Sequence, residues 1–399
     1  MRAGELGILR IVAALAFLGA ASCVQAGTAP PPPPAEPLSE QAPPEEPSKF
    51  YSPEDGWLDV SGFLKQKYGF LPIAVPITEP AVGYGAAVGL AFLSKPLGEA
   101  KDGLGRPDIT VVAGLGTEND TRALAIGDVR HWMDDRLQTQ AALMHASVNL
   151  DFHGVGDDPT LDDDPLSYTL EPEGGILQGK VRLGETRFWT GLKYSFAATR
   201  VTFDAPPGTP GLPDIDTHSN VGGLTPSVTY DTRDNMFTPN QGTYVEGTAG
   251  LFSQALGGDD EFQRVRVLGL QYVPLHADLD LGVLAEGTAA FGDAPFYALP
   301  FIGLRGAPVM RYQGEQMAQL ETELRWRCWK RFSLVGFGGV GSVWNDLENF
   351  DDEQTIATGG TGFRYEIARD YGIHMGLDVA FSPEGPAIYV QVGSAWARP

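Results

Sequence analysis

Gln319-Leu320-Glu321-Thr322-Glu323-Leu324-Arg325-Trp326-Arg327-Cys328-Trp329 is the stretch that decides the fold. Side chains along an extended strand point alternately to opposite faces. Gln319, Glu321, Glu323, Arg325 and Arg327 therefore share one face, and Leu320, Thr322, Leu324, Trp326 and Cys328 the other. The same period of two recurs downstream. Ile373, Met375, Leu377, Val379 and Phe381 alternate with His374, Gly376, Asp378 and Ala380. Phe363, Tyr365 and Ile367 alternate with Arg364 and Glu366, and Ile388, Val390, Val392 and Trp396 with Tyr389, Gln391 and Gly393. In a soluble sandwich the apolar face would be the core; in a transmembrane barrel it meets lipid, and the charges fill a wet lumen.

Three features favour the barrel. Trp132, Trp329, Trp344 and Trp396 stand near segment ends, where interfacial aromatic girdles belong. Connections differ in length, some tight (Asp134-Asp135) and others long and acidic (Gly154 to Pro165, Asp204 to Asp216). The last alternating segment ends near the C-terminus, and Tyr389, Val392 and Trp396 read as a signal for assembly machinery. Patterned segments from Ala81 onward number about fifteen, with one ambiguous piece at Leu71–Ile77. Single-chain bacterial barrels have even strand numbers, so the expectation is about sixteen antiparallel strands.

The remainder of the chain agrees with export. Arg2 and Arg10 flank the start of an apolar run from Ile11 to Ala21, and Val24-Gln25-Ala26 is a small-residue cleavage site, so residues 1–26 read as a signal peptide. Ala20-Ala21-Ser22-Cys23 also resembles a lipobox, which leaves acylation at Cys23 open. Residues 27–56, with Pro30 to Pro34 consecutive and Glu36, Glu40, Glu45 and Glu46 interspersed, form a Pro/Glu-rich linker. Trp57, Val60, Phe63 and Leu64 recur at helical spacing, which predicts one short amphipathic helix within 57–69, a cap or plug at the barrel mouth. The barrel then occupies 70–399. The 28 Lys and Arg against 51 Asp and Glu give a net charge of −23, which excludes nucleic acid as a partner. Two cysteines cannot build a disulfide scaffold.

Two stretches carry a resemblance. Tyr230-Asp231-Thr232-Arg233-Asp234-Asn235, followed by Phe237, Pro239, Gly242 and Tyr244, resembles the strand–turn–strand signature of the BamA/TamA family of outer-membrane barrels, the bacterial surface antigen family. Leu304-Arg305-Gly306-Ala307, followed by Met310-Arg311-Tyr312-Gln313-Gly314-Glu315, resembles the long loop of that family, whose arginine tip folds back into the lumen. The resemblance implies a sixteen-stranded barrel with five strands after this loop, and five alternating segments do follow, the last being Pro386–Trp396. It places the tip arginine at Arg305, with Gly306 and, in place of the usual aromatic at Ala307, Tyr312. Glu321, Glu323, Glu366 and Asp378 are candidate partners on inward faces. Gly339 stands where the family carries an acidic residue, and residues 27–56 are too short and proline-rich for the POTRA modules that precede the family's barrels.

Enzyme motifs are wanting. The histidines have no metal spacing, no nucleophile elbow occurs, and no cofactor is expected. His374 with Asp378 is better read as an inner-wall pair than a hydrolytic dyad, and the run from Asp157 to Asp164 as an extracellular loop rather than a calcium loop. The resemblance implies a factor that helps insert or transport proteins or lipids at the outer membrane of a Gram-negative bacterium, through a weak seam between the first strand, placed near Ala81–Leu93, and the last. A second reading is a low-conductance pore or passive barrel whose acidic lumen favours cations. The expected partners are outer-membrane lipid and lipopolysaccharide, the barrel assembly machinery, and a periplasmic protein docked through the linker.

Overall fold

The computed structural model describes residues 50–64, 71–93, 108–155, 161, 165–204, 215–345 and 353–396; the signal peptide, Cys23, most of the linker and the acidic run of 157–164 lie outside them. Sixteen antiparallel strands follow one another in chain order within one sheet. They are β1 Leu71–Glu79, β2 Gly83–Leu93, β3 Ile109–Thr117, β4 Arg122–Trp132, β5 Leu137–Phe152, β6 Leu166–Arg182, β7 Phe188–Phe203, β8 Ile215–Asp231, β9 Gly242–Phe252, β10 Phe262–His276, β11 Leu279–Gly292, β12 Gln316–Trp329, β13 Phe332–Trp344, β14 Gln354–Ala368, β15 Ile373–Ser382 and β16 Gly385–Val392. Among the described residues a short α-helix, α1, spans Ser61–Leu64, and single 3₁₀ turns lie at Gln254–Leu256, Phe296–Ala298 and Arg369–Tyr371. No helix among the described residues is long and apolar enough to cross a membrane.

The alternation read in the sequence is the wall of this barrel. Leu320, Leu324 and Trp326 of β12 are exposed outward, while Gln319, Glu321 and Arg325 are buried inside. An apolar outer face and a polar inner one suit lipid outside and a wet lumen inside, and from β2 to β15 each strand pairs with a neighbour on both sides, as a bilayer requires of backbone polar groups. Of the five strands after the 293–315 connection, β12 to β15 lie within two residues of the bounds their alternation predicts, and β16 ends four residues early.

The first strand is corrected. Ala81–Leu93 holds β2, and the barrel opens instead with the ambiguous piece, β1. The two end strands lie side by side, yet no ladder joins β1 to β16 among the described residues. The backbone explains why. In an antiparallel sheet consecutive residues turn their N–H and C=O to opposite neighbours. Glu118 donates its N–H to Tyr84 O (2.8 Å), so the even residues of β2 serve β3 and the odd ones serve β1. Their partners on β1 are odd, from Leu71 to Glu79, which leaves Pro72, Ala74, Pro76 and Thr78 facing the seam. Gly393 donates to His374 O (2.7 Å), so by the same rule Pro386, Ile388, Val390 and Val392 of β16 face β1. Three of these eight seam positions are proline and have no N–H to give.

Trp396 is also corrected. The last strand stops at Val392, Gly393 takes a left-handed φ of 75°, and the tail turns into the lumen. Trp396 is buried there against Tyr244, Leu268, Leu270, Tyr272 and Leu284 rather than at an outer girdle. Among the described residues the helix starts at Ser61, later than the spacing predicts, because Trp57 lies in a bend and packs edge-on against Trp329; residues 65–69 lie outside the described residues.

Candidate functional site

The connection from β11 to β12 folds into the lumen as a hairpin of its own. Ile302 donates to Tyr312 O (3.0 Å) and Gly314 to Pro300 O (3.1 Å), while Ile302, Leu304, Ala307 and Tyr312 pack on Met317, Val343 and Ile356 of the wall. At the tip Ala307 donates back to Leu304 O (3.1 Å), and Gly306 sits at φ 101°, where a side chain would be strained. That turn aims Arg305 at the wall. Its Nε donates to Glu321 Oε1 (2.6 Å), and its Nη1 to Glu323 Oε2 (2.7 Å) and Asp378 Oδ2 (2.9 Å). The guanidinium lies 3.7 Å from the centre of the Phe337 ring.

Three of the four candidate acids thus meet Arg305. Glu366 does not; it stands two residues along from Arg364, opposite His374 at the end where the chain enters the barrel. Gly339 has no room for the family's acidic residue, since a Cβ there would be 2.9 Å from Leu320 O and 3.0 Å from Leu304. Asp378 is wholly buried and is shared with Arg364, whose Nη2 donates to Oδ2 (2.9 Å). His374 instead faces Gly372 O (3.2 Å), whereas Asp378 is bonded by Arg305 and Arg364. Gly306 donates to the Tyr389 hydroxyl (3.0 Å) and Trp396 Nε1 to Glu321 Oε1 (3.3 Å). Two residues read as parts of an assembly signal therefore hold the loop tip. Tyr312 reaches Glu384 (2.5 Å), beside Arg311 (3.2 Å).

Sequence reasoning missed Arg364, Phe337 and the inward role of Trp396. One signal was present: Gly362, directly across from Asp378. A Cβ at Gly362 would lie 2.0 Å from Asp378 Oδ1. Gly362→Ala is therefore expected to displace Asp378 and lower stability by about 2 kcal/mol, read as a lower midpoint in the heat-induced mobility shift of the folded barrel.

The second motif closes the entry end. Arg233, buried, grips Asp231 with Nε (3.0 Å) and Nη2 (2.9 Å) and lies 4.5 Å over the Tyr244 ring. Asp234 Oδ1 accepts from Asn240 N (3.0 Å) and Gln241 N (3.3 Å), Pro239 O accepts from Arg325 (3.0 Å), and Gly242 at φ 110° begins β9. Phe237 O accepts from Ser394 N (2.6 Å), which ties this turn to the inward tail.

At the same end the segment before β1 docks on the β12–β13 turn. Arg331 donates to Asp55 Oδ2 (2.7 Å), Asp59 Oδ2 (2.9 Å) and Leu58 O (3.3 Å), and Val60 N reaches Ile367 O (2.8 Å). Hydrogen bonding from Arg331 holds the Asp55 carboxyl down to about 2. Burial pushes Asp59 up, but Ser61 and Arg331 outweigh it, so its pKa is also lowered. Depressed carboxylates stabilise above their unfolded pKa and lose that contribution as pH falls through the folded one. Docking is thus expected to hold at pH 5 and loosen only between about pH 4 and 2. Arg331→Gln should raise amide exchange in 50–64 roughly tenfold at pH 7; unchanged exchange would show that the aromatic contacts alone suffice.

Residues 214–384, from the start of β8 to the β15–β16 turn and so including both motifs, match the Omp85 superfamily domain. The chain carries an Omp85 superfamily domain. Its fold is similar to BamA from Haemophilus ducreyi lacking POTRA domains 1–3, with a TM-score of 0.54 and 12% identity over 82% of this chain and 70% of that one. It is also similar to CdiB from Escherichia coli (0.55, 10%, 84% and 61%) and CdiB from Acinetobacter baumannii (0.54, 10%, 81% and 59%). This Omp85-type chain thus spans about three-fifths of either CdiB chain. The comparison with curated proteins finds no match.

Proposed function

We propose that this protein works in the outer membrane of a Gram-negative bacterium as an assembly or translocation factor for proteins or lipids, acting through the β1–β16 seam. The observation that carries the reading is the backbone of that seam, in which Pro72, Pro76 and Pro386 remove donors. Unpaired strand edges are templates for an incoming strand, and a bilayer raises the cost of leaving them bare. Arg305 and its acids hold the long loop against β12–β15, so the lumen wall beside the seam is stiff while the seam itself is loose. The Omp85 match and the BamA-like fold support this class of activity.

The test is the folding rate of a denatured outer-membrane barrel client added to liposomes with and without the purified full-length protein. Acceleration is expected. No acceleration would overturn an autonomous insertase and favour the second reading, a low-conductance pore. One observation suits a pore: part of the inner wall keeps contact with solvent.

A further inference from the structure

The acids of the lumen are not spread around it. Burial alternates along each strand, so the inward residues of β2–β7 can be read off. Among the described residues not one is Asp or Glu. The charged side chains on that wall are Lys180, Arg182 and Lys193, beside Gln140 and Gln178. Pairing sets Lys180 directly across from Gln138 of β5, and Gln178 across from Gln140 on one side and Lys193 on the other. Arg182 Nε is buried without a hydrogen-bond partner.

The nearest carboxylates lie at the edges of this wall. Asp108 accepts from His131 N (2.6 Å) at the entry end. Glu246 takes Lys180 (3.2 Å) but is shared with Arg266 (3.5 Å). This is also the open side. Gln140, Gln178 and Lys193 are only half-buried and Lys180 keeps 12% of its side chain exposed, whereas Glu321, Arg364 and Asp378, under the folded loop, are at most 2% exposed. The acidic lumen expected under the pore reading does not describe this part of the wall, where the inward charged side chains among the described residues are basic.

We propose that the quarter of the lumen wall formed by β4–β7 is an anion-binding face that draws small anionic groups, phosphate or carboxylate, into the barrel. Fixed positive charge behind low-dielectric walls concentrates counter-ions, and glutamine amides donate to oxyanions. The proposal is independent of the seam reading.

Gln178→Cys, in the full-length protein with Cys23 and Cys328 replaced by serine, tests it without requiring conductance. The rates of an anionic sulfonatoethyl and a cationic trimethylammonioethyl methanethiosulfonate are compared at this thiol and normalised to a free thiol in solution. The anionic-to-cationic ratio should rise about fivefold or more. Adding Lys180→Gln and Lys193→Gln should return it toward the solution value. A ratio at or below that value, a ratio unmoved by neutralisation, or no reaction with either reagent in the folded barrel would overturn the proposal. Gln140→Cys serves in the same way should the first variant not fold.

Discussion

Arg305→Ala is expected to lower barrel stability by about 3–5 kcal/mol, the range for removing one partner of a buried ion cluster, and to raise conductance through the lumen. The removed guanidinium satisfies Glu321, Glu323 and Asp378 together, and alanine would leave them with Arg364, which bonds Asp378 and stands 3.9 Å from Glu323. Carboxylates so buried cannot be rehydrated in place, so the loop has to leave the wall for water to reach them. The remaining contacts of the tip, the Gly306–Tyr389 bond and the apolar patch of Leu304 and Ala307, are too few to offset that charge. Arg305→Lys separates charge from geometry. It keeps the cation but loses the planar fork that serves three acids at once, so its stability and conductance should fall between wild type and alanine. A wild-type denaturation midpoint for the alanine variant would mean that the loop is held by packing alone.

The architecture was readable because a barrel wall imposes one rule on every strand. Alternation set the bounds of β12 to β14 almost to the residue and those of β15 to within two, while β16 stops four residues short of the predicted end; the even-number rule converted about fifteen segments into sixteen. Parity also told which acids face inward, but it could not tell which of them meet. Glu321 and Asp378 lie on β12 and β15, and only closure of the wall brings both to Arg305; Glu366 has the same parity but stands too near the entry end. Trp396 was misread because the alternation through Val392 invites extrapolation, and one left-handed glycine at 393 cancels it. The first strand was obscured by Pro72 and Pro76, residues that argue against a strand unless it is an edge. Here that objection was itself the information. The acidic lumen expected under the pore reading holds for only part of the wall: Glu321, Glu323 and Asp378 lie on β12 and β15, whereas the inward charges of β6 and β7 are basic.

If the seam is loose because of its prolines, then Pro72→Val, Pro76→Val and Pro386→Val together should close it. Each substitution returns one N–H donor to a position whose side chain is exposed on the outer face, so packing inside the lumen is undisturbed. Two effects compete. Each restored hydrogen bond contributes about 1 kcal/mol, while losing proline frees the unfolded chain by about 0.4–1 kcal/mol per site. Global stability should therefore change little. Opening of the seam is a different equilibrium, because the rest of the barrel stays folded in both states and the unfolded-chain entropy does not enter. Three added bonds then disfavour opening by about 3 kcal/mol, roughly a hundredfold. Amide exchange at Ala74, Thr78, Ile388 and Val390 should slow by that order, and any acceleration of client folding in liposomes should be lost with it. Slower exchange with undiminished acceleration would place the activity away from the seam, and unchanged exchange would mean that the prolines are not what keeps the two edges apart.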